Sequence, residues 1–232
     1  MDIVERLKRA APIQDRFGPS LPQLIAPRID RLPAIARRVA FAAVVVVAVV
    51  VVALVLRTRN PVYSHSGSPA TFTVTWPRAM KRAATPHGAL LLLKQTDGAG
   101  LVASFEVTPL RLPHYSGEIS GLLPIIAINY ERRLEQRYGA LFTPWSLGRT
   151  RIINTAAFTF TYKLYVKNQS QPYFGRVVFI TPHLHGDRTG LVLSMLQRPE
   201  TLEETTAPAQ PTPDAVGSGG AVQQPLQHLR IS

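Results

Sequence analysis

The sequence contains no cysteine among its 232 residues. This absence excludes disulfide bonds, thiolate chemistry and a lipidated cysteine as a membrane anchor. Acidic residues are also scarce, because 14 Asp and Glu stand against 26 Lys and Arg, which gives a formal net charge of +12. Secreted eukaryotic domains often use disulfides. The missing cysteines and the composition rich in Ala, Val, Arg and Pro therefore favour a bacterial protein.

One stretch of the chain lacks charge, glycine and proline altogether. Residues 39–56 read VAFAAVVVVAVVVVALVL, with Arg37 and Arg38 before them and Arg57 and Arg59 after them. At about 1.5 Å per residue a helix of this length spans roughly 27 Å, close to the bilayer core of about 30 Å. A soluble helix would carry a polar stripe, which this run does not have. The sequence therefore predicts a single transmembrane helix and the lipid bilayer as a partner.

The charges beside this run indicate its orientation. The 38 residues that precede it carry eight Lys and Arg against four Asp and Glu, whereas no cation follows Arg59 until Arg78. Cytoplasmic flanks are the basic ones. We therefore expect a basic cytoplasmic head over residues 1–38, a retained signal anchor, and the bulk of the chain outside the cell membrane. A cleaved signal peptide is the alternative, but no small-x-small cleavage site follows the run.

The remainder of the chain divides by composition into three parts. Residues 57–70 form a polar stalk, and residues 71–205 have the length of one ordinary domain. Residues 206–232 are rich in Pro, Gly, Ala and Gln and nearly free of charge. Such a composition buries little apolar surface, so we predict a disordered tail.

The central part alternates in the manner of an antiparallel sheet. Residues 72–76 and 155–166 place apolar side chains at every second position, and Asp97-Gly98 separates two apolar runs as in a hairpin. Between these strands, apolar residues recur at helical spacing: Leu123, Ala127, Tyr130, Leu134 and Tyr138. The predicted fold class is α+β, an antiparallel sheet packed by one main helix.

This order resembles the Mog1/PsbP-like superfamily. An opening strand that ends in proline (Phe72 to Pro77), a hairpin, one helix and the run R-x-I-I-N-T-A-A-F-T-F-T-Y carry the resemblance, which covers about residues 70–198. The superfamily includes membrane-anchored or lipidated bacterial surface proteins, and the resemblance implies a membrane-anchored protein that binds or assembles. The chain departs from the pattern after Pro199, where the superfamily usually closes with a helix. No site residue is carried over.

Two sets of residues are candidates for a site. His183 and His185 lie two positions apart, so on an extended chain they point the same way and could hold zinc or copper. A solvated turn explains them equally well, since no third ligand has a recognisable spacing. Arg149, Arg151 and Lys163 would form a cationic patch for an anionic ligand if they share the polar face of the sheet. The alternative is an exposed face that serves solubility.

The expected function is binding of a partner protein or of an anionic envelope component. No catalytic residue and no cofactor is assigned, and nucleic acid is not expected because no reading motif accompanies the basic charge. Two alternatives remain open: a small metal-assisted hydrolase that uses His183 and His185, and a structural subunit of a larger membrane assembly.

Overall fold

The computed structural model describes residues 39, 41–51, 60–114, 119–152, 155–167, 169, 171–181, 189–202 and 211–231. The chain divides into two units, Met1–Arg59 and Asn60–Ser232. In the first unit, residues 39 and 41–51 are helical, and the valine side chains among them are 45–66% exposed.

Within the described residues, no helix has both the length and the apolar character that crossing a membrane requires. Residues 40 and 52–56 of the predicted transmembrane helix lie outside the described residues. The transmembrane helix therefore stays a prediction.

The second unit is built from two antiparallel sheets and one long helix. The strands and helices are β1 (Val62–His65), β2 (Phe72–Thr75), β3 (Lys81–Arg82), β4 (Leu91–Asp97), β5 (Gly100–Arg111), α1 (Ile119–Tyr138), β6 (Phe142–Ile152), β7 (Thr155–Leu164), β8 (Tyr173–Ile180), β9 (Thr189–Gln197), α2 (Gln223–Gln227) and β10 (Arg230–Ile231). Seven strands pair in the order β3-β4-β5-β9-β8-β7-β6, and three in the order β1-β2-β10. The α+β fold class with an antiparallel sheet and one main helix is confirmed.

Helix α1 covers one face of the large sheet. Phe158, Phe160 and Tyr162 alternate along β7 and are buried on this face together with Leu123 and Ala127 of the helix. The ring of Tyr130 lies 5.5 Å from that of Phe179 and 6.1 Å from that of Phe160, between ring centroids. The apolar side chains that recur every two residues in β7 and about every 3.6 residues in α1 therefore pack into one core, as predicted.

The other face of the large sheet is covered by the small sheet and the C-terminal segment. Phe72, Val74 and Trp76 alternate along the chain at β2 and are 6% exposed or less. They belong to one apolar cluster with side chains of the large sheet such as Phe105 and Val178. The second face is therefore buried by residues that come before the strands of the large sheet in the chain and by residues that come after them.

The stalk predicted for residues 57–70 is wrong over its described part, residues 60–70. Residues Val62–His65 form β1, which pairs with β2 from Val62↔Thr75 to His65↔Phe72. The hydroxyl of Tyr63 donates a hydrogen bond to the Leu90 carbonyl oxygen at 3.2 Å, and Ala70 is 4% exposed. A strand whose partner is close in sequence forms readily even where its composition is polar.

The disordered tail predicted for residues 206–232 is also wrong over its described part, residues 211–231. Val216, Val222, Leu226 and Leu229 are 0–7% exposed and belong to the core of the second face. The last strand, β10, pairs with β2 through Arg230↔Thr73 and Ile231↔Phe72. The apolar residues of this segment are spaced irregularly, and packing against the sheet buries these four but leaves Ile231 partly exposed.

Asp214 attaches this segment to the large sheet. Its carboxylate accepts hydrogen bonds from the Thr161 hydroxyl at 2.8 Å, from the Trp145 indole N–H at 3.1 Å and from the Ser146 hydroxyl. Arg176 donates from Nη1 to the Val216 carbonyl oxygen at 3.0 Å. Burial alone would raise the pKa of the Asp214 carboxyl, but these three hydrogen bonds and the Arg176 charge lower it below its usual value.

We predict that Leu226→Ala lowers the free energy of unfolding by about 2–5 kcal/mol, because it leaves a cavity against the second face of the sheet. Leu141, which is 42% exposed, is the matched control, and Leu141→Ala is expected to cost no more than about 1 kcal/mol. Urea denaturation followed by tryptophan fluorescence measures both values. Equal small losses for the two variants would mean that the segment does not contribute to the core.

We also predict that Asp214→Asn is less stable than the native chain at neutral pH and that this difference shrinks in acid. A carboxyl with a lowered pKa stabilises the fold above its unfolded pKa of about 3.9, and this contribution is lost as the pH falls through the folded value. Unfolding free energies at pH 7 and at stepwise lower pH measure the effect. A pH-independent deficit for Asp214→Asn would contradict the role of its charge.

Candidate functional site

Arg149 and Arg151 lie on β6, the edge strand of the large sheet. They pair with Phe158 and Ala156 of β7, so both arginines lie on the face that α1 covers. Both side chains are exposed. Leu147 is two positions earlier on the same face, and it is 44% exposed. The strand therefore presents Leu147, Arg149 and Arg151 in a row with steps of about 7 Å.

Lys163 does not belong to this row. It pairs with Thr143 and lies an odd number of positions from Phe158 along β7, which places it on the opposite face of the sheet. Its ammonium nitrogen stands 4.3 Å from the Trp145 ring centroid and 5.8 Å from that of Phe174. The three cations predicted to form one patch are therefore split between two faces, and Thr159 and Thr161 accompany Lys163 rather than the arginines.

A groove opens beside the two arginines, and we call it the arginine groove. Its volume is about 460 Å³, and its lining consists of Leu123, Arg149, Thr150, Arg151, Ala156, Ala157 and Phe158. Leu123 and Phe158 are 2% and 6% exposed and form an apolar floor. In the described part of the chain, neither guanidinium group has an acidic side chain within ion-pair distance. Such a groove suits a ligand that combines an acidic group with an apolar one.

The outer edge of β6 is the second component of the site. The strand ends the order of the large sheet, so one side of its backbone has no strand partner among the described residues. The register with β7 shifts between Pro144 and Ser146, which interrupts the first half of the strand. From Leu147 to Ile152 the pairing is regular and contains no proline. This second half offers backbone N–H and C=O groups to an added strand.

His183 and His185 lie outside the described residues. Within the described ranges, no three His, Asp or Glu side chains are close enough together to hold a metal ion. The metal site therefore stays a prediction.

The sequence pattern did not indicate the residues that the C-terminal segment brings to the sheet. Asp214 meets Ser146 and Thr161 across more than 50 residues of sequence, and Gln223, Gln224 and Gln227 line a pocket against β4 and β5. The available signal was weak. Within a stretch nearly free of charge, Asp214 is the single acid.

Comparisons with known proteins give a likeness of fold. No protein-family model matches the chain, and no curated protein matches its sequence. The solution structure of cyanobacterial PsbP (CyanoP) from Synechocystis sp. PCC 6803 matches with a TM-score of 0.48 and 8% identity, over 74% of this chain and 92% of that chain. The crystal structure of the Ran-binding protein Mog1p from Saccharomyces cerevisiae matches with a TM-score of 0.45 and 13% identity, over 74% and 96%. Both TM-scores are below 0.5, and these matches assign no family, activity or partner to this chain.

Proposed function

We propose that this protein is a membrane-anchored binding module that holds an acidic, extended segment of a partner protein on the outer edge of β6. The observation that carries the proposal is the juxtaposition of Arg149, Arg151 and an edge strand without a strand partner in the described structure. The membrane anchor rests on the apolar run over residues 39–56 and on the basic flank before it.

The backbone of β6 supplies affinity without sequence selection. A strand added beside residues 147–152 makes main-chain hydrogen bonds of the kind that already join β6 to β7. A partner segment that pairs along the whole uninterrupted half of the strand, residues 147–152, has to be extended over about six residues.

The side chains of β6 supply the selection. Arg149 and Arg151 lie on one face, two positions apart, so they meet side chains at alternate positions of an added strand. Acidic residues at those positions gain ion pairs, whereas cations there are repelled. The apolar floor of the arginine groove, Leu123 and Phe158, then accepts an aliphatic side chain that follows the acids.

An anionic envelope polymer or a lipid headgroup is the other source of negative charge. Such a ligand would use the two guanidinium groups but would leave the edge of β6 unpaired. The exposed backbone of residues 147–152 favours the protein segment, and the experiment below separates the two.

The first prediction for this function concerns a seven-residue capped peptide with Asp and Glu at alternating positions between valines. We expect it to bind the full chain and to bind Arg149→Gln/Arg151→Gln about tenfold more weakly, because two exposed ion pairs are lost. Arg230→Gln, on the small sheet, is the matched control and should bind as the native chain does. Fluorescence anisotropy of the labelled peptide measures each Kd.

A second peptide, N-methylated at alternate residues, tests the edge of β6. N-methylation removes main-chain donors but keeps every charge, so we expect its binding to be lost. Equal binding of the two peptides, or tighter binding of anionic phospholipid vesicles than of either peptide, would contradict strand addition and favour an anionic surface as the ligand.

A further prediction concerns membrane topology. Because the sequence contains no cysteine, each cysteine variant has a single thiol, and all labelling reports on that position. In intact cells, a membrane-impermeant maleimide should label Gln136→Cys, on the exposed side of α1, but not Ser20→Cys. Permeabilised cells are the control, in which both should be labelled. Labelling of residue 20 but not of residue 136 in intact cells would reverse the proposed orientation.

A further inference from the structure

The arginine groove lies at one end of the exposed edge of β6. Its lining includes the three residues of β6 that come directly before Ile152, the last residue of the strand. Leu147, at the other end of the regularly paired half, is not among the lining residues. A strand added beside residues 147–152 would therefore bring one of its two ends, and not its middle, to the groove.

The charge at this end of the edge determines which end of an added strand it accepts. Arg149 and Arg151 are exposed, lie about 7 Å apart on one face, and have no acidic side chain within ion-pair distance in the described part of the chain. A terminal ammonium group placed there would be repelled, and a terminal carboxylate would be attracted. The two arginines therefore favour a strand that runs parallel to β6 and ends beside Arg151.

The floor of the groove adds a requirement for an apolar side chain. Leu123 and Phe158, which are 2% and 6% exposed, lie beneath the two arginines in the groove of about 460 Å³. Along an extended chain, neighbouring side chains on one face are about 7 Å apart. A C-terminal residue, by contrast, carries its carboxylate and its side chain on the same Cα. An aliphatic C-terminal residue therefore supplies both groups that this groove can bind from a single position.

We infer that the arginine groove binds the free carboxyl terminus of the partner protein, with an aliphatic last side chain against Leu123 and Phe158. This inference rests on the proposed function, because the same segment pairs with the edge of β6. The terminal carboxylate then pairs with Arg151, and an acidic side chain two residues earlier meets Arg149. An apolar side chain four residues before the end lies beside Leu147, which is 44% exposed.

The test uses a hexapeptide of sequence TVTETV, labelled at its amino end, and fluorescence anisotropy with the full chain in a zwitterionic detergent. The peptide with a free carboxyl end should bind about tenfold more tightly than its C-terminal amide, which lacks one charge-assisted contact. The amide of TVTETD has the net charge of the free-acid peptide. It should bind about tenfold more weakly than that peptide, because its last carboxylate replaces the side chain that packs on the floor.

Arg151→Gln should reduce the advantage of the free carboxyl end from about tenfold to about twofold, and Arg230→Gln, on the small sheet, is the matched control that should keep it. An unchanged advantage in Arg151→Gln would overturn the inference. Equal binding of the free-acid and amide forms of TVTETV by the native chain would also overturn it, and so would equal binding of the TVTETD amide.

The capped peptide with alternating Asp and Glu, titrated in parallel, separates this inference from the proposed function. If that peptide binds and the free carboxyl end of TVTETV gives no advantage, strand addition stands and the carboxyl-terminal preference is wrong. If none of the peptides binds, both are wrong. Because the native chain alone distinguishes the peptides, a variant that fails to fold leaves the test intact.

Discussion

The large sheet has two apolar faces, and both have to be removed from water for the domain to fold. Helix α1 covers one face, with Leu123 and Ala127 against Phe160 and its neighbours. The described part of the second unit contains no other long helix, and the other face is covered by short pieces: β1, β2 and the C-terminal segment, joined through β10. Hydrogen bonds from Thr161 to Asp214 and from Arg176 to Val216 hold the C-terminal segment to the large sheet.

The two ways of covering a face leave two openings of different character. A continuous helix packs closely but is narrower than the sheet, so β6 stays exposed at its margin and the arginine groove opens there. The short segments on the other face leave a pocket between α2 and the strands β4 and β5, lined by the polar side chains of a segment that has few apolar ones.

The sequence predicts those strands and helices in which apolar residues recur at one constant spacing over a long segment. The alternation along β7 and the helical spacing of Leu123, Ala127 and Tyr130 are both present in the structure. The split of Arg149, Arg151 and Lys163 between two faces could not be predicted, because which side chains of two strands share a face depends on their register, and β6 also contains a bulge. The C-terminal segment was missed because four scattered apolar residues are too few to indicate a core until a sheet is present to receive them.

Charge at the margins of the large sheet narrows what can pair with it. At one end β3 is two residues long and consists of Lys81 and Arg82, and at the other end β6 carries Arg149 and Arg151. Cations on edge strands are a common protection against self-association, since two copies approaching edge to edge repel each other. The same repulsion does not act on an acidic strand, which gains ion pairs at those positions. The arginines of β6 are therefore compatible with both roles: they disfavour cationic edges, including those of another copy, and they favour the acidic segment that we propose as the partner of this edge.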